Sequence, residues 1–167
     1  MEDETTMTIK IRPMDRNIII DSTVDTPSFT GPKFIILEGC DRTGKSSMQD
    51  EIDKQTKYKH FVLDRGPIGF KAYCEIFNKD QKLFNSYNKS EEEFLQLSNI
   101  LVIYLDCSTE ILIERCLKTN HEILDFNHHK KIYKKYYDQS KLNKIKVDTT
   151  NKHVSEIVKE LINQGVL

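Results

Sequence analysis

Lys33-Phe34-Ile35-Ile36-Leu37-Glu38-Gly39-Cys40-Asp41-Arg42-Thr43-Gly44-Lys45-Ser46 is the stretch that decides the fold. Its opening is a continuous apolar run, the mark of a strand buried on both faces of a sheet. Its second part, residues 39–46, satisfies the spacing G-x-x-x-x-G-K-[ST] in full. The glycines permit backbone conformations that turn successive N–H groups toward one point, and a helix start adds partial positive charge there. A helix is expected from Gly44 to about Gln55, with Met48 and Ile52 on one face. Strand, loop and helix in that order make a cradle for the phosphates of ATP. In it Lys45 reaches the β- and γ-phosphates, Ser46 is placed to ligate Mg²⁺, and Thr43, Gly44 and Ser47 line the rest.

Outward from this unit, strand and helix signals alternate. Phe61-Val62-Leu63 reads as a second strand ending at Asp64-Arg65-Gly66-Pro67. Ile68, Ala72, Tyr73, Ile76 and Phe77 follow at helical spacing, which makes Phe77 a core residue. Ser90 reads as an N-cap, with Glu91, Glu92 and Glu93 starting a helix behind it. Ile100-Leu101-Val102-Ile103-Tyr104-Leu105 is the strongest strand. Behind it Thr109 is expected to cap a helix that carries Ile111, Leu112, Arg115 and Cys116. A further helix covers residues 127–137, Ile145-Lys146-Val147 is a last strand, and Val154, Ile157, Val158, Leu161 and Ile162 mark a closing helix. Alternation of this kind implies an α/β, three-layer P-loop NTPase fold with a central parallel sheet. The domain is expected over residues 33–167. Ahead of it, Thr8-Ile9-Lys10-Ile11-Arg12 and Asn17-Ile18-Ile19-Ile20-Asp21 flank a turn at residues 13–16, so residues 1–32 read as an extension with a β-hairpin and a connector.

The composition narrows the function classes. The 167 residues are 38% hydrophobic and 31% charged with a net charge of −1, so no overall basic field draws the chain to nucleic acid. Lys130-Lys131 and Lys134-Lys135 read as a solvated helix face. Cys40, Cys74, Cys107 and Cys116 lie far apart, without the spacing of a disulfide framework or a zinc site. No apolar run approaches the roughly 18 residues of a membrane span. The expectation is a cytoplasmic protein with reduced thiols and no membrane partner.

Only five of the 25 basic residues are arginine: Arg12, Arg16, Arg42, Arg65 and Arg115. Arg42 lies inside the phosphate loop and Arg65 follows an acid at a strand end. At both places a planar, permanently charged fork grips phosphate oxygens better than lysine does. Ligands of parallel α/β sheets gather at the carboxyl ends of the strands, where Glu38, Asp64 and Asp106 stand. Asp64 could hold Mg²⁺ or orient Arg65, and Asp106 could face the site or cap the next helix.

The segment Leu37-Glu38-Gly39-Cys40-Asp41-Arg42-Thr43-Gly44-Lys45-Ser46-Ser47 closely resembles the phosphate loop of thymidylate kinases, where E-G-x-D-R-x-G-K-S-T is typical. Val62-Leu63-Asp64-Arg65-Gly66-Pro67 resembles the D-R segment of that family, and residues 101–115 and 145–150 are similar to its later strands. The compact form is similar to small virus- and phage-encoded members, which would place the protein in a host cytoplasm. The resemblance implies an Mg-ATP-dependent kinase of a deoxynucleoside monophosphate. It assigns Asp41 to the acceptor sugar, Arg65 to the acceptor phosphate and the group in transit, and Arg42 to charge on the migrating phosphoryl group. Gly39, Arg42 and Arg115 fall on the donor side, and homodimers are common in the family.

Two departures stand out. The stretch after Arg115, Cys116-Leu117-Lys118-Thr119-Asn120-His121-Glu122, has no lid arginine, as in the family subtype that carries its catalytic arginine in the phosphate loop. Twenty-five positions separate Gly39 from Asp64, too few for the family's base-pocket insert. Phe70 and Tyr73 are then the candidates for stacking on an acceptor base, and the amino-terminal hairpin would fill the space of the missing insert. Two further readings follow: a kinase of a nucleoside or of a nucleotide within DNA or RNA, and a nucleotide-binding regulatory protein without turnover.

Overall fold

A computed structural model describes Ile18–Ile20 and residues 31–167. Four strands form a parallel sheet: β2 (Phe34–Glu38), β3 (Phe61–Asp64), β4 (Ile100–Asp106) and β5 (Lys144–Asp148). A short strand, β1 (Ile18–Ile20), joins them antiparallel to β5, giving the order β1-β5-β4-β2-β3. The apolar run read as a doubly buried strand is one: Ile35, Ile36 and Leu37 are fully buried, and β4 is buried from Ile100 to Leu105.

Six helices cover the sheet: α1 (Lys45–Thr56), α2 (Pro67–Ile76), α3 (Gln81–Phe94), α4 (Thr109–Lys118), α5 (Phe126–Gln139) and α6 (Val154–Asn163). Side chains of successive strand residues alternate between faces. Ile35, Leu37, Ile103 and Leu105 therefore meet Met48 and Ile52 of α1 and Ile157, Val158 and Leu161 of α6. Ile36, Val102 and Tyr104 meet Ile68 and Ala72 of α2, Leu112 of α4, and Ile132, Tyr133 and Tyr136 of α5. Each fully buried aliphatic side chain stabilises this sandwich by about 1.5–3 kcal/mol.

The chain leaves β2 toward β3 on one side and reaches β4 on the other, so the sheet order reverses between β2 and β4. Crevices at such reversals are where open α/β sheets bind ligands, and the 39–46 loop stands in this one.

Several sequence expectations need correction. Ser90 starts no helix: α3 begins nine residues earlier behind Asp80, whose carboxylate accepts from the Lys82 amide at 3.0 Å. The acids after Ser90 lie in the last turns, and buried Glu91 is engaged by Lys71 and Ser140. Ser108, not Thr109, caps α4 by accepting from the Ile111 amide at 3.4 Å. Phe77 is no core residue; it ends α2, 48% exposed, with its ring beside Tyr73 and His129. Of the expected hairpin, Ile18–Ile20 is a strand, while its partner arm and turn lie outside the described residues. That strand pairs with β5, at the sheet edge opposite β3. It therefore does not fill the space beside β3 left by the short segment between β2 and β3.

Candidate active site

One cleft of about 930 Å³ opens at the loop that follows β2 and at the carboxyl end of β3. Its walls include Asp41, Arg42, Gly44, Lys45, Ser46 and Ser47 of the loop and α1, Asp64 and Arg65 at the end of β3, and Arg115 of α4. The sequence placed all of these at the donor or acceptor side, and the fold brings them together. Phe70 and Tyr73 pack on other aromatic rings: the Phe70 ring stacks on Tyr87 with centroids 4.8 Å apart, and Tyr73 packs on Phe77 at 4.6 Å. Neither lines the cleft.

Close approach explains the loop's glycines. A Cβ on Gly39 would sit 2.3 Å from the Leu105 carbonyl oxygen of β4, and Gly39 has φ of +130°, outside the usual range of L side chains. Gly44, at φ of +99°, is the N-cap of α1. Lys45 folds back over the loop: its ammonium donates to the Gly39 carbonyl at 2.9 Å and the Cys40 carbonyl at 2.8 Å. Burial lowers its pKa, as does the charge of Arg65, against the pull of Asp41 and Asp64. Thr43 is fully buried, and its hydroxyl donates to the Cys40 carbonyl at 2.9 Å. Cys40 beside it is no nucleophile, because burial pushes its thiol up to about 12.

Three arginines face the cleft in three different states. Arg115 bridges two loops: it donates to the Arg42 carbonyl at 2.8 Å and to the Thr149 carbonyl at 2.9 Å. Thr149, fully buried after β5, in turn donates its hydroxyl to the Thr43 carbonyl at 2.8 Å. Arg65 donates to the Asp41 carboxylate at 2.6 Å. Burial works against its charge, but Tyr133, Asp41 and Glu38 outweigh that and hold its pKa above the ordinary value. The Arg42 guanidinium has neither a hydrogen-bond nor an ion-pair partner among the described residues. Arg42 and Arg65 both adopt left-handed backbone conformations, with φ of 69° and 80°. Such strain in non-glycine residues gathers at functional sites.

The Ser46 hydroxyl donates to the Asp64 carboxylate at 2.7 Å. One hydroxyl and one carboxylate, both hard oxygen donors, suit Mg²⁺ that keeps several waters and phosphate oxygens. Among the described residues no group of three or more His, Cys, Asp or Glu side chains forms an all-protein metal cage. The donor set thus fits the Mg²⁺ of a phosphate loop.

Glu38 has a role that the sequence reading did not see. It is fully buried at the end of β2, and its carboxyl reaches across to the start of α2. Oε1 accepts from the Gly66 amide at 3.1 Å and the Ile68 amide at 3.0 Å, and Oε2 accepts from Gly69 at 2.9 Å. Pro67 has no N–H, so Glu38 satisfies every donor at the entry of α2, where no side chain of the N-cap does so. A Cβ on Gly66 would meet Ile36 at 2.5 Å, and one on Gly69 would meet Glu38 Oε2 at 2.5 Å. The two glycines are the space that the carboxyl occupies, and Arg65 is attached directly to this clamp. Burial pushes Glu38 up to about 8, against the lowering effect of the amides, Lys45 and Arg65. The signal available in the sequence was the pair Gly66 and Gly69, three apart behind Asp64-Arg65.

Asp106 neither lines the cleft nor caps α4. Its carboxylate pairs with Lys130 at 3.1 Å and Lys146 at 2.8 Å, while its carbonyl accepts from the Thr149 amide at 2.8 Å.

No protein-family profile and no curated protein matches the chain. Solved structures do. The YorR protein of Bacillus subtilis, in complex with phosphorylated GDP, is 18% identical with a TM-score of 0.62, over 79% of this chain and 95% of that one. Deoxyadenosine kinase from M. mycoides, with the products dCMP and dCDP, is 21% identical with a TM-score of 0.57, over 78% of this chain and 96% of that one. The same enzyme with dCTP gives 22% identity and a TM-score of 0.56, over 78% and 98%. The likeness is one of fold: a P-loop kinase architecture with a parallel sheet and six helices.

Proposed function

We propose that this protein is an Mg-ATP-dependent kinase that transfers a phosphoryl group to a deoxynucleoside monophosphate, in the manner of thymidylate kinases. The observation that carries this reading is the division of labour among three cleft arginines. Arg115 braces the loop, Arg65 is held by Asp41 at the acceptor side, and Arg42, in the loop itself, has no hydrogen-bond or ion-pair partner among the described residues. Phosphoryl transfer requires positioning and charge neutralisation more than covalent chemistry, and this arrangement supplies both. The loop amides and Lys45 hold the donor phosphates, for which Lys45 exchanges its carbonyl partners. Ser46 and Asp64 would hold Mg²⁺, which when bound neutralises phosphate charge. Arg65 leaves Asp41 for the acceptor phosphate, and Asp41 is then free to accept from a sugar hydroxyl. Arg42 stabilises charge on the group in transit.

An acceptor that is already a phosphate needs no general base, and the cleft suits that: Asp64 is engaged with Ser46 and Asp41 with Arg65. A coupled assay of nucleotide turnover across the four deoxynucleoside monophosphates tests the reading. Acceptor-dependent turnover with one or more of them is the expected result, and none with any of them would exclude it.

One observation favours a second acceptor class. The segment joining β2 to β3 holds one helix, and among the described residues β3 is a sheet edge, a side by which a larger acceptor or a nucleoside would approach. The similar deoxyadenosine kinase points the same way. Labelled phosphate appearing on a nucleoside or oligonucleotide, and on no mononucleotide, would select this alternative. Nucleotide binding without transfer to any acceptor would leave a regulatory role.

A further inference from the structure

Away from the cleft, on the face of the sheet that carries α5, lies a second cavity of about 320 Å³. Lys130, Lys131 and Lys134 of α5 and Lys146 of β5 converge on it, with Asp106 and Asp138 as the facing acids and Tyr104 and Tyr137 as an aromatic floor. The lysines at positions 130, 131 and 134 share one side of α5 because residues three and four apart are neighbours on a helix. Lys146 comes from the adjacent strand, opposite Tyr104 in the β4–β5 register. The sequence pattern alone suggested a solvated helix face, yet two elements aim their ammonium groups into one concave site.

The charges do not cancel there. Lys130 and Lys146 share the single carboxylate of Asp106, at 3.1 and 2.8 Å, and Lys134 pairs with Asp138. Lys131 has no partner among the described residues. Four ammonium groups against two carboxylates leave an excess of two positive charges in a pocket whose floor, Tyr104 and Tyr137, is buried. Lysine binds phosphate as a point charge and needs no fixed fork geometry. The volume falls at the small end of ligand sites, large enough for a diphosphate or a small phosphorylated molecule.

We infer that the lysine-lined cavity between α5 and β5 is a second anion site that binds a small polyphosphate, either free diphosphate or the phosphate chain of a nucleotide. The site is separate from the 39–46 loop and does not rest on the transfer reaction proposed above. Asp106 stands between the two, its side chain in the cavity and its backbone bonded to Thr149, which holds the phosphate loop at Thr43.

Calorimetric titration of pyrophosphate into the full chain tests this. Two binding events are expected in the unaltered protein, one at the phosphate loop and one at the lysines. The double variant Lys131→Glu with Lys134→Glu, whose side chains are exposed and whose fold is checked by circular dichroism, should lose or weaken one event by about tenfold or more. The remaining event should disappear on Lys45→Ala, which leaves the lysine event in place. A nucleoside triphosphate should bind at the lysines and the corresponding nucleoside should not. A single pyrophosphate event that the double variant leaves unchanged would overturn the inference. So would binding of the unphosphorylated nucleoside at the lysines, or of an oligonucleotide there in place of pyrophosphate. Failure of the kinase assay would leave these titrations unaffected.

Discussion

Glu38 offers the sharpest test of how the acceptor-side arginine is held. In Glu38→Ala, three buried amides at the entry of α2, those of Gly66, Ile68 and Gly69, lose their acceptor at once. An orphaned buried donor costs about 1–3 kcal/mol. The loss is therefore about 3–9 kcal/mol, comparable with the whole stability of a typical domain. Glu38→Gln is the more informative variant. Its single carbonyl oxygen can serve the Gly66 and Ile68 pair or Gly69, and its NH₂ then opposes the remaining donor, so at least one amide is orphaned for about 1–3 kcal/mol. With a urea dependence of about 2 kcal/mol/M, that moves the midpoint by roughly 1 M with an unchanged slope.

The pH dependence adds a second readout. The carboxyl titrates near 8 in the folded protein against an ordinary value of 4.5. Between those values the folded state binds more protons than the unfolded one, so stability falls as pH rises. Glu38 should contribute roughly 3–5 kcal/mol of decline across that window. Glu38→Gln has no titrating group there, so its deficit of about 1–3 kcal/mol should be largest near pH 5 and vanish or reverse by pH 8. Urea melts of both proteins at four pH values measure this. A deficit below about 0.5 kcal/mol near pH 5, or one that does not change with pH, would refute the trans-capping account.

The other predictions concern the loop and its bracing. Gly39→Ala drives a methyl group into the Leu105 carbonyl at a backbone angle unsuited to alanine, and should destabilise the fold by about 3 kcal/mol or more; thermal melts would read it. Arg42→Ala should leave stability within about 0.5 kcal/mol, because that guanidinium has no hydrogen bond or ion pair to lose among the described residues, while turnover falls about 10³-fold or more; near-normal kcat would remove Arg42 from the reaction. Arg115→Lys cannot span the Arg42 and Thr149 carbonyls at once, so it should raise the KM for ATP with a smaller effect on kcat, and steady-state kinetics at varied ATP would show the split.

Local pattern and packing part most clearly at the capping residues. Ser90-Glu91-Glu92-Glu93 looks like a helix start because serine caps and acids favour the positive end. Yet Asp80 starts that helix, and Glu91 is buried with Lys71 and Ser140, a partnership across three helices that no local pattern shows. Thr109 and Ser108 are adjacent and chemically alike, and only the backbone geometry selects Ser108. Phe70 and Tyr73 fit a base-stacking role by type alone, and their neighbours Tyr87 and Phe77 come from other turns of the chain.

Residue order alone specifies the β2–loop–α1 unit and the parallel α/β architecture around it, and it singles out Arg42, Lys45, Ser46, Asp64, Arg65 and Arg115, which line one cleft. These rest on local physics: a doubly buried strand must be continuously apolar, and a backbone cradle needs glycine at set positions. Packing settled what each charged side chain is engaged with. It tied Arg115 to two loops, Arg65 to Asp41, Glu38 to the entry of α2 and Asp106 to two lysines, and it left Arg42 without a partner among the described residues. It also placed β1 against β5 rather than beside β3. Long side chains choose partners from distant segments by distance and burial, and those are properties of the packed chain that residue order does not carry.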